Sequence, residues 1–438
     1  MLFRASEIAR VTGGRLVGAD VDIDGAAFDT RLLRPGQLFV PVQGARDGHD
    51  FIPAAVATGA GATLSARGPV DGLTTIVVDD VDSAFVALGA ATRDRLPDRV
   101  AGVTGSVGKT STKDLAAAIL RRRYVTTANE KSFNNELGVP FTLVNASDDT
   151  EVTVVEMGAR GTGHIAELCD IARPTVAIVT SIELAHSEHM GGLDDIARAK
   201  GELVESLPRT GTAILNGDDP RVAAMAGRTP AEPLLFGRES GDVRATDVTV
   251  DHDLRVHFTL RSDWGDAPVH LGVRGAHHIG NALAAASLAL LWNVPMDDVV
   301  DGLGVGSLSP WRMELHVAPS GARILNDAYN AGPASMEAAL RSVVLLPTAR
   351  HHAVLGPMAE LGDASAAAHQ RVAGVARELG VRVIAVGTDA YGVAPVPDIA
   401  AAIAELGRLD ADDSVLVKGS RVAGLERLAQ VLLDDQPA

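Results

Sequence analysis

The segment from Val100 to Thr112 constrains the fold of this chain more than any other part of the sequence. It reads Val-Ala-Gly-Val-Thr-Gly-Ser-Val-Gly-Lys-Thr-Ser-Thr, and a helical pattern continues from there towards Arg123. A strand, a glycine-rich turn and a helix in this order form the setting in which backbone N–H groups bind phosphate oxygens. The segment therefore predicts a phosphate-binding loop at the edge of a mostly parallel α/β sheet.

The residues of this loop offer different groups to a nucleotide. We expect the Lys109 ammonium to meet the β- and γ-phosphates and the Thr110 hydroxyl to ligate Mg²⁺. Val103 stands where the strict Walker spacing has glycine, so an ordinary glycine-rich βα turn remains an alternative. The residues predicted to surround the phosphates are Gly105, Ser106, Val107, Gly108, Lys109, Thr110 and Ser111.

Length and composition restrict the class of protein. A chain of 438 residues is long enough for about three domains, and an apolar content of 46% with only 3% aromatics indicates aliphatic cores. The net charge of −17 argues against nucleic acid as a partner, because nucleic-acid phosphates need clustered Lys and Arg. The single cysteine, Cys169, cannot form an intramolecular disulfide. The charged N-terminus has no signal-peptide pattern, and the apolar run 282–292 is too short to span a membrane, so we expect a cytoplasmic protein.

Residues 1–98 are predicted to form a small α/β domain. Ser6 is expected to cap a first helix that ends at Gly13, with strands at 38–42 and 75–78 and a helix at 53–58. Two polar clusters, 29–31 and 44–51, interrupt these elements. From the residues alone, both clusters are best interpreted as solvated turns.

Residues 99–309 repeat the strand-then-helix pattern that is typical of a parallel sheet covered on both faces. A predicted strand at 153–155 ends in Glu156, and a carboxylate beside a phosphate loop is placed to hold Mg²⁺. The segment 183–189 contains two Glu and two His, and a metal cluster and a solvated loop are equally good interpretations. The alternation in 244–260 predicts a β-hairpin that turns near 251–253.

Residues 310–438 restart the alternation and predict a small doubly wound domain. Strands are expected at 323–325, 352–355, 381–386 and 414–417, and helices at 335–346 and 366–379. The G-x-G-x-x-G fingerprint is missing, so this part of the chain is not predicted to bind a dinucleotide.

The segment from Thr104 to Ser111 resembles the nucleotide loop of the Mur ligases, in which the position of Val103 is commonly apolar. These are the ATP-dependent enzymes that extend the peptide of the cell-wall precursor. Further segments resemble the family in order and at its spacing: 132–140, His186 to Lys200, 216–220, 326–333, 355–362 and 418–421. The resemblance implies three domains: an N-terminal domain for the UDP end of the substrate, a central P-loop domain, and a Rossmann-like C-terminal domain for nucleotide and the incoming dipeptide.

The resemblance also implies an activity, the joining of D-alanyl-D-alanine to a UDP-linked muramoyl tripeptide through an acyl phosphate. It implies ATP, two Mg²⁺ ions and a carbamylated Lys200, because a bare ammonium beside Mg²⁺ is repelled. The implied catalytic residues are Lys109, Lys200, His186 and Arg312, and the implied metal ligands are Thr110, Glu156 and His186. Besides the loop, ATP is expected to contact Asn281, Arg312, Asp327 and Tyr329. The implied substrate-binding residues are Thr30, Arg31, Arg46, Asp47, Gly48, His49, Asn134, Asn135, Asn330 and Lys418.

The chain departs from the family pattern at several positions, and other functions remain open. The unusual residues are Thr30 for Ser, Ser181 for Asn, Glu183 for Gly, His278 for Asn, Gly332 for Asn, and Pro357 for an acidic residue. A sibling ligase, a folate-polyglutamate-type ligase or a natural-product homologue is the main alternative. A regulatory GTPase is disfavoured because no Asn-Lys-x-Asp segment occurs, and a non-catalytic binding protein because Lys109, Glu156, His186 and Lys200 are all present. We expect a monomer.

Overall fold

The structure is a computed structural model, and the residues it describes are 1–44, 46–130, 132–184 and 190–434. Three larger sheets follow one another along the chain, with five, nine and five strands, beside a two-stranded ribbon. Every larger sheet contains parallel pairs and is packed against helices. The chain is therefore a mixed α/β protein, as the sequence predicts.

The first sheet lies in residues 15–77 and has the order β2-β7-β6-β5-β4. Its strands are β2 (Arg15–Val17), β4 (Ala26–Ala27), β5 (Leu38–Phe39), β6 (Ala62–Ser65) and β7 (Thr74–Val77), and the ribbon pairs β1 (Leu2–Arg4) with β3 (Asp22–Asp24). The helices are α1 (Ala5–Thr12), α2 (Ile52–Thr58) and α3 (Val81–Thr92). Strand β5 is shorter than predicted.

The start of α1 differs from the sequence-based expectation. Ser6 lies inside the helix, and its hydroxyl donates to the Asp20 carboxylate at 2.9 Å instead of capping the helix N-terminus. Arg4 occupies the cap position without a capping side chain. The predicted end is confirmed, because Gly13 adopts φ 65°, a left-handed conformation that closes helices.

The central sheet has the order β16-β15-β14-β13-β12-β11-β8-β10-β9. The strands from β9 to β14 pair in parallel, and β14, β15 and β16 form the predicted antiparallel hairpin with one further strand. The strands are β8 (Val100–Thr104), β9 (Thr126–Ala128), β10 (Val152–Glu156), β11 (Val176–Val179), β12 (Thr212–Asn216), β13 (Glu232–Gly237), β14 (Val243–Val250), β15 (Arg255–Ser262) and β16 (Gly265–Arg274).

Helices cover both faces of this sheet. They are α4 (Lys109–Leu120), α5 (Gly138–Val144), α6 (His164–Ala172), α7 (Leu193–Glu205), α8 (Pro220–Ala223), α9 (His278–Leu291) and α10 (Met296–Val305). One core joins α5, α6 and α7 to the first sheet, and a second core lies under α4, α9 and α10. Successive residues of one strand, Val154 and Val155, belong to different cores, as expected for parallel strands buried on both sides.

The last sheet has the order β17-β18-β21-β19-β20, with β17 antiparallel and the other pairs parallel. Its strands are β17 (Glu314–Val317), β18 (Arg323–Asn326), β19 (Arg350–Leu355), β20 (Arg382–Ala385) and β21 (Asp413–Lys418). The helices are α11 (Pro333–Val343), α12 (Ser365–Glu378), α13 (Ile399–Leu406) and α14 (Glu426–Asp434). Among the described residues, none of the helices has the length and apolar character needed to cross a membrane.

The strand ends decide where ligands can bind. The carboxyl ends of β8 and β10 in the central sheet open into the same cavity as residues that follow β18 and end β21 in the last sheet. Crevices at the carboxyl ends of parallel strands are the usual ligand sites of open α/β sheets. The fold thus brings two such edges together around one cavity.

Candidate active site

A cavity of about 870 Å³ lies between the central and the last sheet. Its central-sheet side is built from the glycine-rich loop, the end of β10 and the starts of α6 and α9. Its other side is formed by the residues that follow β18, by the start of α11 and by the end of β21. A ligand in this cavity therefore contacts both parts of the chain at once.

The glycine-rich loop has the backbone that its sequence predicts. Gly105 and Gly108 adopt φ 145° and 87°, and α4 begins directly afterwards at Lys109. A side chain at Gly105 would collide with the Thr180 hydroxyl, and one at Gly108 with the Asn281 amide. Glycine is required at both positions because of the close approach and the left-handed conformation.

Lys109 is folded back onto this loop. Its ammonium donates to the carbonyl oxygens of Gly105 at 2.8 Å and Ser106 at 3.2 Å. Burial lowers the pKa of Lys109, the nearby Glu156 carboxylate opposes this shift, and Arg312 adds to it. An enclosed cation with one anionic neighbour is well placed to neutralise a phosphate that enters the loop.

Glu156 ends β10 with its carboxylate almost fully buried, 1% exposed. Its Oε1 accepts a hydrogen bond of 2.6 Å from the Asn134 amide, and its Oε2 has no hydrogen-bond partner among the described residues. The Thr110 side chain lines the same cavity. A buried carboxylate oxygen left without a donor fits a cation, and Mg²⁺ typically takes one or two carboxylates together with substrate phosphates and water.

The third predicted metal ligand cannot be placed. His186 lies outside the described residues, as do the other members of 185–189. In the described part of the chain, three or more His, Cys, Asp or Glu side chains are nowhere grouped for a metal ion. The donor set at this end of the cavity is thus Glu156 with Thr110, which suits an ion that also binds phosphate.

Lys200 projects from α7 to the wall of the cavity and is 1% exposed. Its ammonium has neither a hydrogen bond nor an ion pair with any described residue. Burial lowers its pKa well below the usual value, and Lys109 lowers it further. Burial and the Lys109 charge therefore both favour the neutral amine over the ammonium, and the neutral amine is the form that can react with carbon dioxide.

Arg312 enters the cavity from the segment that joins the central sheet to the last one. Its guanidinium lies 4.1 Å from the centre of the Tyr329 ring, and its Nε has no partner among the described residues. The neighbours Trp311 and Met313 have φ 63° and 52°. Left-handed residues other than glycine on both sides of Arg312 indicate local strain, which is common where a functional side chain is held in place.

Asp327 and Lys418 form a buried ion pair at the ends of β18 and β21, with 2.5 Å between Oδ2 and Nζ. Lys418 also donates to the carbonyl oxygen of Asn330 at 2.9 Å. Lys418 is the last residue of β21, and its side chain does not reach solvent, because the residue is 3% exposed. The implied role of Lys418 in substrate binding stays a prediction, although its ammonium is already paired with Asp327.

A His-His-Asn cluster begins α9 opposite the glycine-rich loop. The Asn281 amide donates to Nδ1 of His278 at 2.9 Å, so the proton of the neutral ring lies on Nε2. Nε2 is buried without a partner among the described residues, and burial lowers the pKa of His278 well below its usual value. The sequence marked His278 only as a departure from the family pattern, whereas the structure makes it an unpaired donor in the cavity wall.

Comparison with known proteins agrees with this geometry. Residues 103–289 match the Mur ligase middle domain, and residues 311–421 match the Mur ligase, glutamate ligase domain. A Mycobacterium tuberculosis protein named UDP-N-acetylmuramoyl-tripeptide–D-alanyl-D-alanine ligase is 37% identical, with 98% of this chain and 97% of that protein covered. The chain belongs to the Mur ligase family.

Solved structures of Mur ligases are similar over nearly the whole chain. The UDP-N-acetylmuramoylalanyl-D-glutamyl-2,6-diaminopimelate–D-alanyl-D-alanyl ligase of Acinetobacter baumannii is 29% identical, with 99% of both chains covered and a TM-score of 0.87. The MurF ligase of Thermotoga maritima, solved in complex with ADP, is 26% identical, with a TM-score of 0.83 and 94% and 97% of the two chains covered. The family and its architecture, predicted from the sequence, are thus confirmed.

The substrate-binding residues predicted in the first sheet of this Mur ligase do not line the cavity. Arg31 pairs with Asp29 at 2.5 Å and is largely exposed, beside Thr30. Asp47 accepts from Nδ1 of His49 at 2.7 Å, and Nε2 of His49 accepts from the backbone N–H of Ala66. The polar groups of this region are therefore ordered by each other, and their contact with a substrate stays a prediction.

Gly48 and Arg46 complete this N-terminal cluster. A Cβ at Gly48 would lie 2.5 Å from the carbonyl carbon of Pro41, so the turn admits no side chain there. Arg46 lies over the Phe51 ring, with 4.6 Å between guanidinium carbon and ring centre. The cluster is thus a compact polar turn, with Asp47 capping the short helix that begins at Gly48.

The two asparagines of the 132–140 segment have different roles in the structure. Asn134 orients Glu156, whereas the Asn135 side chain accepts from the backbone N–H of Gly138 at 2.9 Å and so supports the start of α5. Both line the cavity. Sequence reasoning missed Asn129, whose Oδ1 accepts the backbone N–H of Glu156 at 2.5 Å, because a single Asn after a short strand carries no motif.

Proposed function

We propose that this chain is an ATP-dependent, ADP-forming ligase that joins D-alanyl-D-alanine to a UDP-N-acetylmuramoyl tripeptide. The names of the relatives support this substrate pair. One observation carries most weight: the glycine-rich loop, the free oxygen of Glu156 and the unpaired Lys200 all face one cavity. An ATP site alone explains the first two, whereas a ligase also explains a buried lysine without a partner.

The residues of the chain would act mainly by positioning and by neutralising charge, which is what phosphoryl transfer requires. Lys109 would leave its two carbonyl partners in the loop and meet the γ-phosphate. Arg312 would bring a second positive charge from the opposite wall. Together they would favour attack by the terminal carboxylate of the tripeptide, which gives an acyl phosphate and ADP.

Metal binding would depend on Glu156, Thr110 and His186. Mg²⁺, when bound, supplies charge neutralisation for the transferring phosphoryl group. Lys200 would contribute as a carbamate, since its neutral amine can form an N–C bond to carbon dioxide and release a proton to solvent, which leaves an anion. The carbamate would place a negative charge near Lys109, where the ammonium form of Lys200 is disfavoured.

The second half of the reaction would take place in the same cavity, on the side of the last sheet. The amine of D-alanyl-D-alanine would attack the acyl phosphate, so that an amide forms and phosphate leaves. Asn330, Lys418 and the start of α11 line this part of the cavity. Because the predicted nucleotide contacts lie on both sheets, we expect the two parts of the chain to close around the nucleotide before chemistry begins.

The domain roles follow from this scheme. Residues 1–98 would hold the UDP end, with Thr30, Arg31 and the turn from Arg46 to His49 as the predicted contacts. Residues 99–309 would bind ATP and Mg²⁺, and residues 310–438 the nucleoside and the incoming dipeptide. The enzyme would act in the cytoplasm, as a monomer, in the synthesis of the cell-wall precursor on which cell shape and division depend.

The test is ADP formation by the purified chain with ATP, Mg²⁺, the tripeptide substrate and D-alanyl-D-alanine, each omitted in turn. We expect ADP release only with the complete mixture, together with a product whose mass equals substrate plus dipeptide minus water. Single amino acids and folate derivatives in place of the dipeptide and the tripeptide substrate test the sibling ligases. ADP formation with those compounds alone would refute the proposed substrate pair.

A further inference from the structure

The loop between β10 and α6 presents charged groups that have no role in the proposed ligase reaction. Arg160 and His164 line the cavity with exposed side chains. The backbone N–H of Arg160 donates to Nδ1 of His164 at 3.3 Å, which leaves Nε2 of the neutral ring as a donor. Within the described part of the chain, the Arg160 guanidinium has neither a hydrogen bond nor an ion pair.

The backbone N–H groups at the start of α6 are not free to bind a ligand. Glu202 already accepts the backbone N–H groups of Gly163 at 2.6 Å and Ala166 at 3.1 Å, so its carboxylate occupies the start of α6. The unused groups are side chains: the Arg160 cation, the His164 donor and the Glu167 carboxylate one turn further along the helix. Together they form a corner that offers positive and negative charge side by side.

The position of this corner indicates which substrate would meet it. Helix α6 packs against α3 and α5, which share a core with the first sheet. Arg160 follows Glu156 by four residues and lines the same cavity, so the corner lies beside the predicted metal site, on a helix that packs towards the first sheet. On the proposed function, the peptide must run from the first sheet to that site, and it therefore passes this corner.

We propose that Arg160 and His164 bind the carboxylate, and Glu167 the ammonium, of a zwitterionic amino-acid end on the third residue of the tripeptide. Diaminopimelate carries such an end beyond its reacting carboxyl group, and it is the third residue named for the Acinetobacter baumannii ligase. Lysine at this position would carry only the ammonium. A simple anion is a poorer match, because Glu167 repels it. This inference rests on the proposed function and assigns the substrate class of the same site.

The test compares two UDP-muramoyl tripeptides that differ only in having diaminopimelate or lysine as the third residue. A charge-assisted contact to a carboxylate is typically worth about ten- to a hundred-fold in binding. We expect the wild type to prefer diaminopimelate by this factor in kcat/KM, through KM. Arg160→Gln should reduce the preference to within a few-fold by weakening only the diaminopimelate substrate. Glu167→Gln should weaken both substrates.

The matched control is Arg209→Gln, an exposed arginine outside the cavity, which should leave both constants unchanged. A wild type that ligates both tripeptides equally well would overturn the inference while leaving the proposed function intact. The same conclusion would follow if Arg160→Gln weakened the binding of both tripeptides alike. It would also follow if the effect of Arg160→Gln disappeared with tripeptides whose glutamyl carboxylate is amidated, because Arg160 would then bind that carboxylate and not the third residue. Failure of the proposed function would appear differently, as no ligation of either tripeptide by the wild type.

Discussion

The Asn134 amide donates a 2.6 Å hydrogen bond to Oε1 of Glu156 and leaves Oε2 of the same carboxylate without a partner among the described residues. One oxygen is thus fixed in direction while the other faces the cavity. Leaving a buried carboxylate oxygen unpaired costs folding free energy, typically 1–3 kcal/mol or more for charged groups. Such a cost is expected where a ligand completes the site.

Replacement of Glu156 by Gln tests whether this oxygen holds Mg²⁺. The change keeps the shape of the side chain and removes its charge, so we expect weaker Mg²⁺ dependence and a loss of ligation of at least about 10²-fold. The measurement is the rate of ADP formation against Mg²⁺ concentration. Glu151→Gln, on the exposed start of the same strand region, is the control. An unchanged Mg²⁺ titration in Glu156→Gln would remove this residue from the metal site.

Lys200 gives a prediction that involves carbon dioxide. If the neutral amine becomes a carbamate, enzyme depleted of bicarbonate should lose activity and regain it when bicarbonate is added. Lys200→Ala should be nearly inactive, insensitive to bicarbonate and partly rescued by a short carboxylic acid, because the missing group is an anion. A ¹³C-bicarbonate NMR signal from the carbamate in the wild type, absent from Lys200→Ala, is the direct observation. Activity that is independent of bicarbonate would count against the modification.

The pair of Asp327 and Lys418 changes what we expect from a mutation at Lys418. If Lys418 binds only the carboxylate of the dipeptide, Lys418→Ala should raise the Michaelis constant for D-alanyl-D-alanine far more than that for ATP, by about ten- to a hundred-fold. Because the ammonium is bonded to Asp327 and to the Asn330 carbonyl, we expect both constants to rise. Steady-state kinetics with each substrate varied separately decides this. A rise confined to the Michaelis constant for the dipeptide would contradict this expectation and would place Lys418 at the dipeptide carboxylate alone.

The same pair predicts an effect on stability. Asp327→Asn leaves the Lys418 ammonium buried without a counter-charge, which typically costs about 3–5 kcal/mol in the free energy of unfolding. The double variant Asp327→Asn with Lys418→Met removes both charges and should recover part of this loss. Urea unfolding of the three proteins measures it. Equal stability of wild type and Asp327→Asn would mean that the pair contributes nothing.

His278 predicts a pH dependence of stability. Its folded-state pKa lies well below the ordinary value, so only the unfolded state binds a proton as the pH falls below about 6.5. The free energy of unfolding should therefore fall with decreasing pH, by up to about 1.4 kcal/mol per unit from this group. His278→Gln should flatten the dependence between pH 6.5 and 5, whereas the exposed His252→Gln should not. Parallel curves for His278→Gln and wild type would contradict the assignment.

The sequence predicted the sheets well because their signals are local. Buried parallel strands such as Val152–Glu156 are short apolar runs, and the glycine-rich loop fixes where a strand ends and α4 begins. The observed ends of helices and strands differ from the predicted ends where contacts with distant residues decide them. Ser6 has the chemistry of a helix cap but bonds to Asp20, which another turn brings beside it.

The polar contacts of the site could not be predicted from the sequence, because they join residues that are distant along the chain. Asp327 and Lys418 were expected to serve different ligands, and the structure pairs them across two strands. Nε2 of His278 is the unpaired nitrogen because the Asn281 amide donates its hydrogen bond to the other ring nitrogen, Nδ1. No local pattern encodes either arrangement.

Formation of an acyl phosphate can be followed through the transfer of a carboxylate oxygen to phosphate. Tripeptide substrate labelled with ¹⁸O in its reacting carboxyl group is incubated with ATP, Mg²⁺ and D-alanyl-D-alanine, and the released phosphate is analysed by mass spectrometry. Lys109→Ala serves as the inactive control. Our account predicts that one ¹⁸O atom passes into each phosphate as the amide forms. Amide product accompanied by unlabelled phosphate would contradict it.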